Sequence, residues 1–217
     1  MTEAILRLDS GIVITYDTYM DGGGISARLD FIDILGQLGK KYKNCFEWCA
    51  GPAYIGFEIL GTGHCENLFL SDTYAPAIDS CIKNAEANNL SDKVFGYVSD
   101  NVKDLPFENI DLVVSNPPHN DSMAYWKETF EHLTTSELFA HGARIGVDDG
   151  YSIHEEFFAN IVDKLSDDAD VLLSEAGNTD PFISMAEKYG LKHIKTYNNK
   201  HAAYKGYTIH FKLNKER

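Results

Sequence analysis

The stretch Asp111-Leu112-Val113-Val114-Ser115-Asn116-Pro117-Pro118-His119 carries the sharpest chemical signal in the chain. An apolar run ends at once in an amide, two prolines and a ring. Two prolines fix φ and remove two N–H donors. Their neighbourhood therefore offers rigid carbonyl acceptors beside the Asn116 side-chain oxygen. A substrate –NH2 group needs acceptors for both hydrogens, and a flat ring next door can stack on a planar amide or base. Three groups lie upstream. Phe46-Glu47-Trp48-Cys49-Ala50-Gly51-Pro52-Ala53-Tyr54-Ile55-Gly56 sets an acid in a strand, then a glycine turn, then a helix start whose free N–H groups suit a nucleotide-like ligand. Read alone, Gly51 and Gly56 also fit ordinary turn and packing roles. Asp72 follows 25 residues after Glu47. A carboxylate there either accepts the ribose hydroxyls of an adenosine ligand or, with Thr73, caps a helix starting near Tyr74. Ser99-Asp100-Asn101 ends a third strand, where Asp100 either accepts from an adenine amino group or closes an Asx turn.

These residues need strands that end together and helices that start there. Short apolar runs alternate with helical patterns, the mark of βα units and a parallel sheet. The spacing predicts strands over 45–49, 66–71, 93–99, 110–115 and 171–173. Helices are predicted over 25–39, 53–62, 74–88, 122–133, 152–165 and 181–189. In the first helix, Ile25, Leu29, Ile32, Leu35 and Leu38 form the expected buried face. Two final strands, 191–197 and 204–213, joined through Asn198-Asn199-Lys200, read as an antiparallel hairpin. Asp21-Gly22-Gly23-Gly24 precedes the first helix and reads either as a cover over a ligand or as a loose entry loop.

Composition bounds the rest. With 217 residues, 44% hydrophobic and 12% aromatic, the chain can bury a sizeable core. This excludes a disordered chain, a collagen-like chain and a small disulfide scaffold. No run approaches the length of a membrane span. Met1-Thr2-Glu3 lacks the basic start of a signal peptide, so a cytoplasmic location is expected, with Cys45, Cys49, Cys65 and Cys81 as reduced thiols. Cys45, Cys49 and His64-Cys65 lack the spacing of a tetrahedral zinc site, and no metal is expected. His132, His141 and His154 also lie at no ligand-like spacing. Tyr125 and Trp126 read either as pocket wall or as core.

The formal net charge is −14, which argues against a nucleic-acid partner, because binding phosphates needs clustered Lys and Arg. The mean hides a split. Residues 146–187 hold eleven acids and one base, whereas residues 188–217 hold eight bases and one acid. The two segments either neutralise each other across the fold or leave a basic patch for an anionic partner.

Taken together, the four motifs resemble the class I S-adenosylmethionine-dependent methyltransferases, and more narrowly the Asn-Pro-Pro-aromatic branch that methylates amino or amide nitrogens. Gly146-Val147-Asp148-Asp149-Gly150-Tyr151 before a helix, and Glu175 closing Leu172-Leu173-Ser174-Glu175, are similar to features of the release-factor glutamine-N5 methyltransferases. The resemblance implies a Rossmann-like α/β fold with a seven-stranded, mainly parallel sheet and a C-terminal antiparallel hairpin. It implies a single domain over 1–217. Residues 1–42 would form an N-terminal segment and helix capping the cofactor, the stretch 15–35 being placed like the helix that family sets before its first strand, and 43–217 the catalytic core.

The cofactor implied is S-adenosyl-L-methionine. Glu47, Ala50, Gly51 and Ala53 would lie by its methionine part. Asp72 would hold the ribose hydroxyls, with Thr73 and Tyr74 along the adenine face. Asp100 and Asn101 would meet the adenine, and Asn116 would also border the cofactor. Asn116, Pro117 and Pro118 would hold the target nitrogen, and His119 would pack on its plane. There are departures from the family pattern. The Gly-x-Gly-x-Gly run stands here as Cys49-Ala50-Gly51-Pro52-Ala53, and alanine leaves room for a cofactor where φ is negative. His119 replaces the usual Tyr, Phe or Trp, and it stacks more weakly but can titrate near neutral pH. No insertion is large enough for a nucleic-acid recognition module. The expected acceptor is a protein glutamine or a small-molecule amine, with an RNA base or a non-catalytic partner-subunit role as alternatives.

Overall fold

The computed structural model describes residues 3–100, 102–133, 135–202 and 205–214. In chain order these form β1 (Glu3–Arg7), β2 (Val13–Asp17), α1 (Gly24–Leu38), β3 (Tyr42–Trp48), α2 (Tyr54–Gly61), β4 (Cys65–Asp72), α3 (Ala75–Ala87), β5 (Val94–Val98) and β6 (Ile110–Ser115). There follow α4 (Met123–Phe130), α5 (Ser136–Gly146), α6 (Ser152–Ile161), β7 (Leu165–Ala176), α7 (Asp180–Lys188), β8 (Leu191–Asn198) and β9 (Gly206–Leu213). Among these residues, seven strands form one sheet in the order β5-β4-β3-β6-β7-β9-β8, and β1 and β2 pair separately. β3 to β7 run parallel, and β9 is antiparallel to both β7 and β8. The strand order reverses between β3 and β6, which is where an open α/β sheet binds its ligand, beyond the carboxyl ends of the strands.

Side chains alternate across the sheet, as strands buried on both faces require. Cys45, Leu68, Leu70, Leu112 and Val114 join the core beneath α1, α2 and α3. Phe46, Trp48, Val113, Val171 and Leu173 face the other way, onto Phe157, Phe158 and Ile161 of α6 and Phe182 of α7. Ser115 Oγ donates to Trp48 O at 2.5 Å and ties the two strand ends at the crevice.

The structure corrects several expectations. The buried face of α1 is Ala27, Phe31, Ile34 and Leu35, together with Arg28 and Asp30. Ile25, Ile32 and Leu38 pack only partly, and Leu29 is half-buried. Two charged residues take core positions because each finds partners. Arg28 lies 3.4 Å from both Asp9 and Glu58. Asp30 accepts N–H groups of Lys200, His201 and Ala202. Residues 15–35 are not one helix: β2 runs to Asp17, a 3-10 turn covers Thr18–Met20, and α1 starts at Gly24.

The N-terminal hairpin was not expected from the sequence. Its open edge is satisfied by α3, where Asn84 pairs with both backbone groups of Thr15 and Asn88 with those of Val13. The pattern over 122–133 ends as a helix at Phe130, and α5 had no forecast. α6 stops at Ile161, a 3-10 turn follows, and β7 begins at Leu165, earlier than the apolar run 171–173 suggests.

Candidate active site

The turn after β3 is the tightest part of the crevice. Cys49, Gly51 and Ala53 all have positive φ, at +53°, +49° and +57°. The condition that alanine keep a negative φ therefore holds at Ala50 but not at Ala53, and Cys49 is left-handed too. Non-glycine residues in this region each store roughly 1–3 kcal/mol. The turn is held by its neighbours: Ala50 N–H donates to Ser71 O at 2.9 Å, Ala53 N–H to Ala50 O at 2.7 Å, and Gly51 N–H to Asp72 Oδ2 at 2.8 Å. A Cβ on Gly51 would meet Met20 O at 3.3 Å.

Glu47 lies buried beneath the turn, and its Oε2 accepts the Gly56 N–H at 2.8 Å. Burial pushes its pKa up to about 8 against the pull of that N–H, so it is mainly protonated at neutral pH. Asp72 does not cap α3, which begins after Tyr74 with no side-chain cap. Its Oδ1 accepts the Tyr74 N–H at 2.8 Å while Oδ2 holds Gly51. A carboxylate offers about four acceptor positions, so two remain for a vicinal diol.

One cavity collects most of the expected residues: Glu47, Ala50, Gly51, Asp72, Thr73, Asp100, Asn116 and Pro118 line it. Gly22 and Gly24 line it as well, so the triple glycine lies on the crevice, and Asn116 Nδ2 donates to Gly22 O at 3.0 Å. Tyr54 rather than Tyr74 contributes a ring. Tyr74 instead lies under the Arg144 guanidinium, 4.2 Å from ring centre to Cζ. Ala53, Pro117 and His119 are not in the lining, and Asn101 falls outside the described residues. Trp126 packs against Gly142 and Gly146 of α5 and tilts onto Phe130, whereas Tyr125 is exposed.

Two features had no forecast. The first is α5, which brings Arg144 and Ile145 to the cavity. Arg144 Nη1 lies 3.9 Å from Asp72 Oδ1, and His141 packs edge-on against both Tyr19 and Tyr74. The second is a row of titratable groups behind Pro118, in which His119 meets Glu175, Glu175 meets His154, and His154 meets Asp148. Asp148 also accepts the Ile153 and His154 N–H groups, so it caps the start of α6. His119, Asp148 and Glu175 each stood in a stretch singled out from the sequence, but nothing there joined them to one another or to His154.

The basic C-terminal segment is partly neutralised. Lys212 pairs with Asp168, Lys188 with Glu155 and Lys200 with Asp33. Among the described residues, no helix is long and apolar enough to cross a membrane.

Comparison with known families places residues 34–151 in a match to the Methyltransferase small domain. Solved structures share the fold at low identity. A TehB-like SAM-dependent methyltransferase from Corynebacterium glutamicum matches at 16% identity and TM-score 0.57, over 88% of this chain and 89% of that one. The N-methyltransferase NodS from Bradyrhizobium japonicum matches at 13% identity and TM-score 0.57, over 87% and 94%. The hMettl16 catalytic domain, solved with the MAT2A 3'UTR hairpin 1, matches at 14% identity and TM-score 0.73, over 97% and 78%.

Proposed function

From the premise that this chain belongs to the methyltransferase small-domain family and is an S-adenosyl-L-methionine-dependent methyltransferase, we propose that it methylates an amide or amino nitrogen. The observation that carries this reading is the Asn116-Pro117-Pro118 turn at the end of β6. It stands at the same cavity as Glu47, Gly51 and Asp72.

The cavity suits the cofactor. The Asp72 carboxylate retains acceptor positions for the ribose hydroxyls, Gly51 presents bare backbone, and Asp100 offers an acceptor for the adenine amino group. Thr73 borders the ribose side, and Glu47 and Ala50 the methionine side. When bound, S-adenosyl-L-methionine supplies an electrophilic methyl group on a sulfonium, which keeps its electron pair as the methyl leaves. Asn116 and the carbonyls fixed by Pro117 and Pro118 accept from the N–H bonds of the acceptor. This draws charge onto the nitrogen and stabilises what develops in the transition state. Holding the reactants in line supplies up to roughly 7–11 kcal/mol of barrier reduction.

The sequence resemblance points to a protein glutamine as acceptor. A small-molecule amine is the second reading, favoured by His119, whose ring nitrogen is tied to a buried carboxylate. The acidity of the chain and the pairing of its C-terminal lysines disfavour an RNA target. The test follows S-adenosylhomocysteine formation with a Gly-Gly-Gln peptide, amines and amino acids, and RNA oligomers. Methylation at nitrogen of the peptide or an amine is expected. Methylation at oxygen or carbon would overturn the nitrogen assignment, and methylation confined to RNA would overturn both the peptide and the amine reading of the acceptor.

A further inference from the structure

Arg144 stands in the last turn of α5, a helix that buries only Ala143. The helix is pinned on both sides of Arg144. Before it, His141 Nε2 hydrogen-bonds the Tyr19 carbonyl, and its ring meets Tyr19 and Tyr74 edge-on. After it, Trp126 packs so closely on Gly146 that a Cβ there would come 2.9 Å from the indole. α5 thus reaches from Tyr19 to Tyr74 beside the cavity, and it carries Arg144 and Ile145 into the lining.

A cation in the last turn of a helix ordinarily complements the free carbonyls there. Arg144 instead turns its head into the cavity. Its Cζ lies 4.2 Å from the centre of the Tyr74 ring, and its Nη1 lies 3.9 Å from Asp72 Oδ1. Among the described residues lining the cavity it is the only Lys or Arg, set against the carboxyl groups of Glu47, Asp72 and Asp100. Asp72 already accepts the Gly51 and Tyr74 N–H groups, so about two of its acceptor positions remain. A ribose hydroxyl has a proton to donate and lone pairs to fill. The carboxylate serves only the proton. A gap of 3.9 Å is too long for a direct hydrogen bond, but an oxygen between the two groups reaches both at about 2.9 Å. The rigid fork of a guanidinium, seated over a ring, supplies the missing donors.

We propose that Arg144 is a cofactor-binding residue that completes the ribose site. Asp72 accepts from the ribose hydroxyls, and the Arg144 guanidinium, held over the Tyr74 ring, donates to their oxygens. The inference rests on the placement of the ribose at Asp72. It gives α5, which follows the Asn-Pro-Pro turn in the chain, a direct hold on the cofactor. A guanidinium that only neutralised Asp72 would act in the opposite sense. It would compete with the ribose for the same carboxylate, and its removal would tighten binding.

The experiment is calorimetric titration of the full chain with S-adenosylhomocysteine and with its 2′,3′-dideoxy analogue. The proteins are wild type, Arg144→Ala, Arg144→Lys and Asp72→Asn, with thermal melting to report that each folds. Arg144→Ala should weaken S-adenosylhomocysteine about 10- to 30-fold, the lower range for a charged donor at a partly exposed site. It should bind the dideoxy analogue as wild type does, because that ligand offers Arg144 no hydroxyl. Arg144→Lys keeps the charge but not the fork, and should recover only part of the loss. If Arg144→Ala does not fold, Arg144→Lys is read through the same difference between the two ligands. Equal losses for both ligands would mean that the substitution disturbs α5 rather than a ribose contact, and would overturn the inference. Unchanged or tighter binding of S-adenosylhomocysteine by Arg144→Ala would overturn it too. Weakening by Asp72→Asn alone leaves the ribose at Asp72 and removes Arg144 from the site. No loss in either variant overturns both.

Discussion

Asp72→Asn separates cofactor recognition from local structure. In the wild type the Asp72 carboxylate accepts the Gly51 and Tyr74 N–H groups at 2.8 Å each and lies 3.9 Å from Arg144. Its remaining acceptor positions face the cavity. A hydroxyl bonded to a carboxylate is worth about 1.5–3 kcal/mol, against about 0.5–1.5 for a neutral acceptor. Removing the charge from two ribose hydroxyl bonds therefore costs about 2–3 kcal/mol. At 1.4 kcal/mol per decade, Kd should rise about 30- to 150-fold. The amide also turns an NH2 toward one of the two backbone donors, which costs about 1–3 kcal/mol of stability and lowers Tm by about 2–12 °C in a chain of this size. Calorimetric titration with S-adenosyl-L-methionine and S-adenosylhomocysteine, well below the melting temperature, measures the first effect, and thermal melting measures the second. A Kd within threefold of wild type in folded protein would refute the placement of the ribose on Asp72.

Glu47 gives a pH test. Its folded pKa of about 8 lies above the ordinary carboxylate value of 4.5, so its contribution to stability is full below the unfolded value and is lost as pH rises toward 8. Glu47→Gln keeps an acceptor for the Gly56 N–H and does not titrate. Denaturation curves should show the variant gaining on wild type by up to roughly 1.4 kcal/mol per pH unit between about pH 5 and 8, and a gap that stays constant would contradict the buried, protonated carboxyl. Gly56→Ala would place a Cβ 2.5 Å from Glu47 Oε2 and 2.6 Å from a Leu68 methyl. Overpacking costs about 1–3 kcal/mol, partly offset by about 1 kcal/mol of helix propensity, so thermal melting should show a lower Tm. An unchanged or higher Tm would mean the close packing over Glu47 has slack.

What could be read from the sequence followed physical strength of pattern. The strands ending at Trp48, Asp72 and Ser115 were legible because runs buried on both faces are continuously apolar, and Pro117-Pro118 permits few backbone states. The hairpin of β1 and β2 was not, because its exposed and half-buried positions show little contrast and its edge is satisfied from α3 by Asn84 and Asn88, across the chain. The buried face of α1 was misread because Arg28 and Asp30 look like solvent residues, and only their distant partners Glu58 and 200–202 make them core. α5 buries little more than Ala143, and Gly142 and Gly146 break its pattern to admit Trp126. Most cavity residues were named from the four motifs and the family they resemble, whereas the approach of Arg144 to the cavity and the pairing of Asp148 with His154 needed the fold.

Asn116→Ala is the most direct test of nitrogen methylation at the Asn-Pro-Pro turn. Labelled methyl transfer and cofactor Kd are measured side by side in wild type and variant. The account expects cofactor binding within a few-fold of wild type and the loss of most turnover to a nitrogen acceptor. Turnover unchanged by the substitution would contradict it.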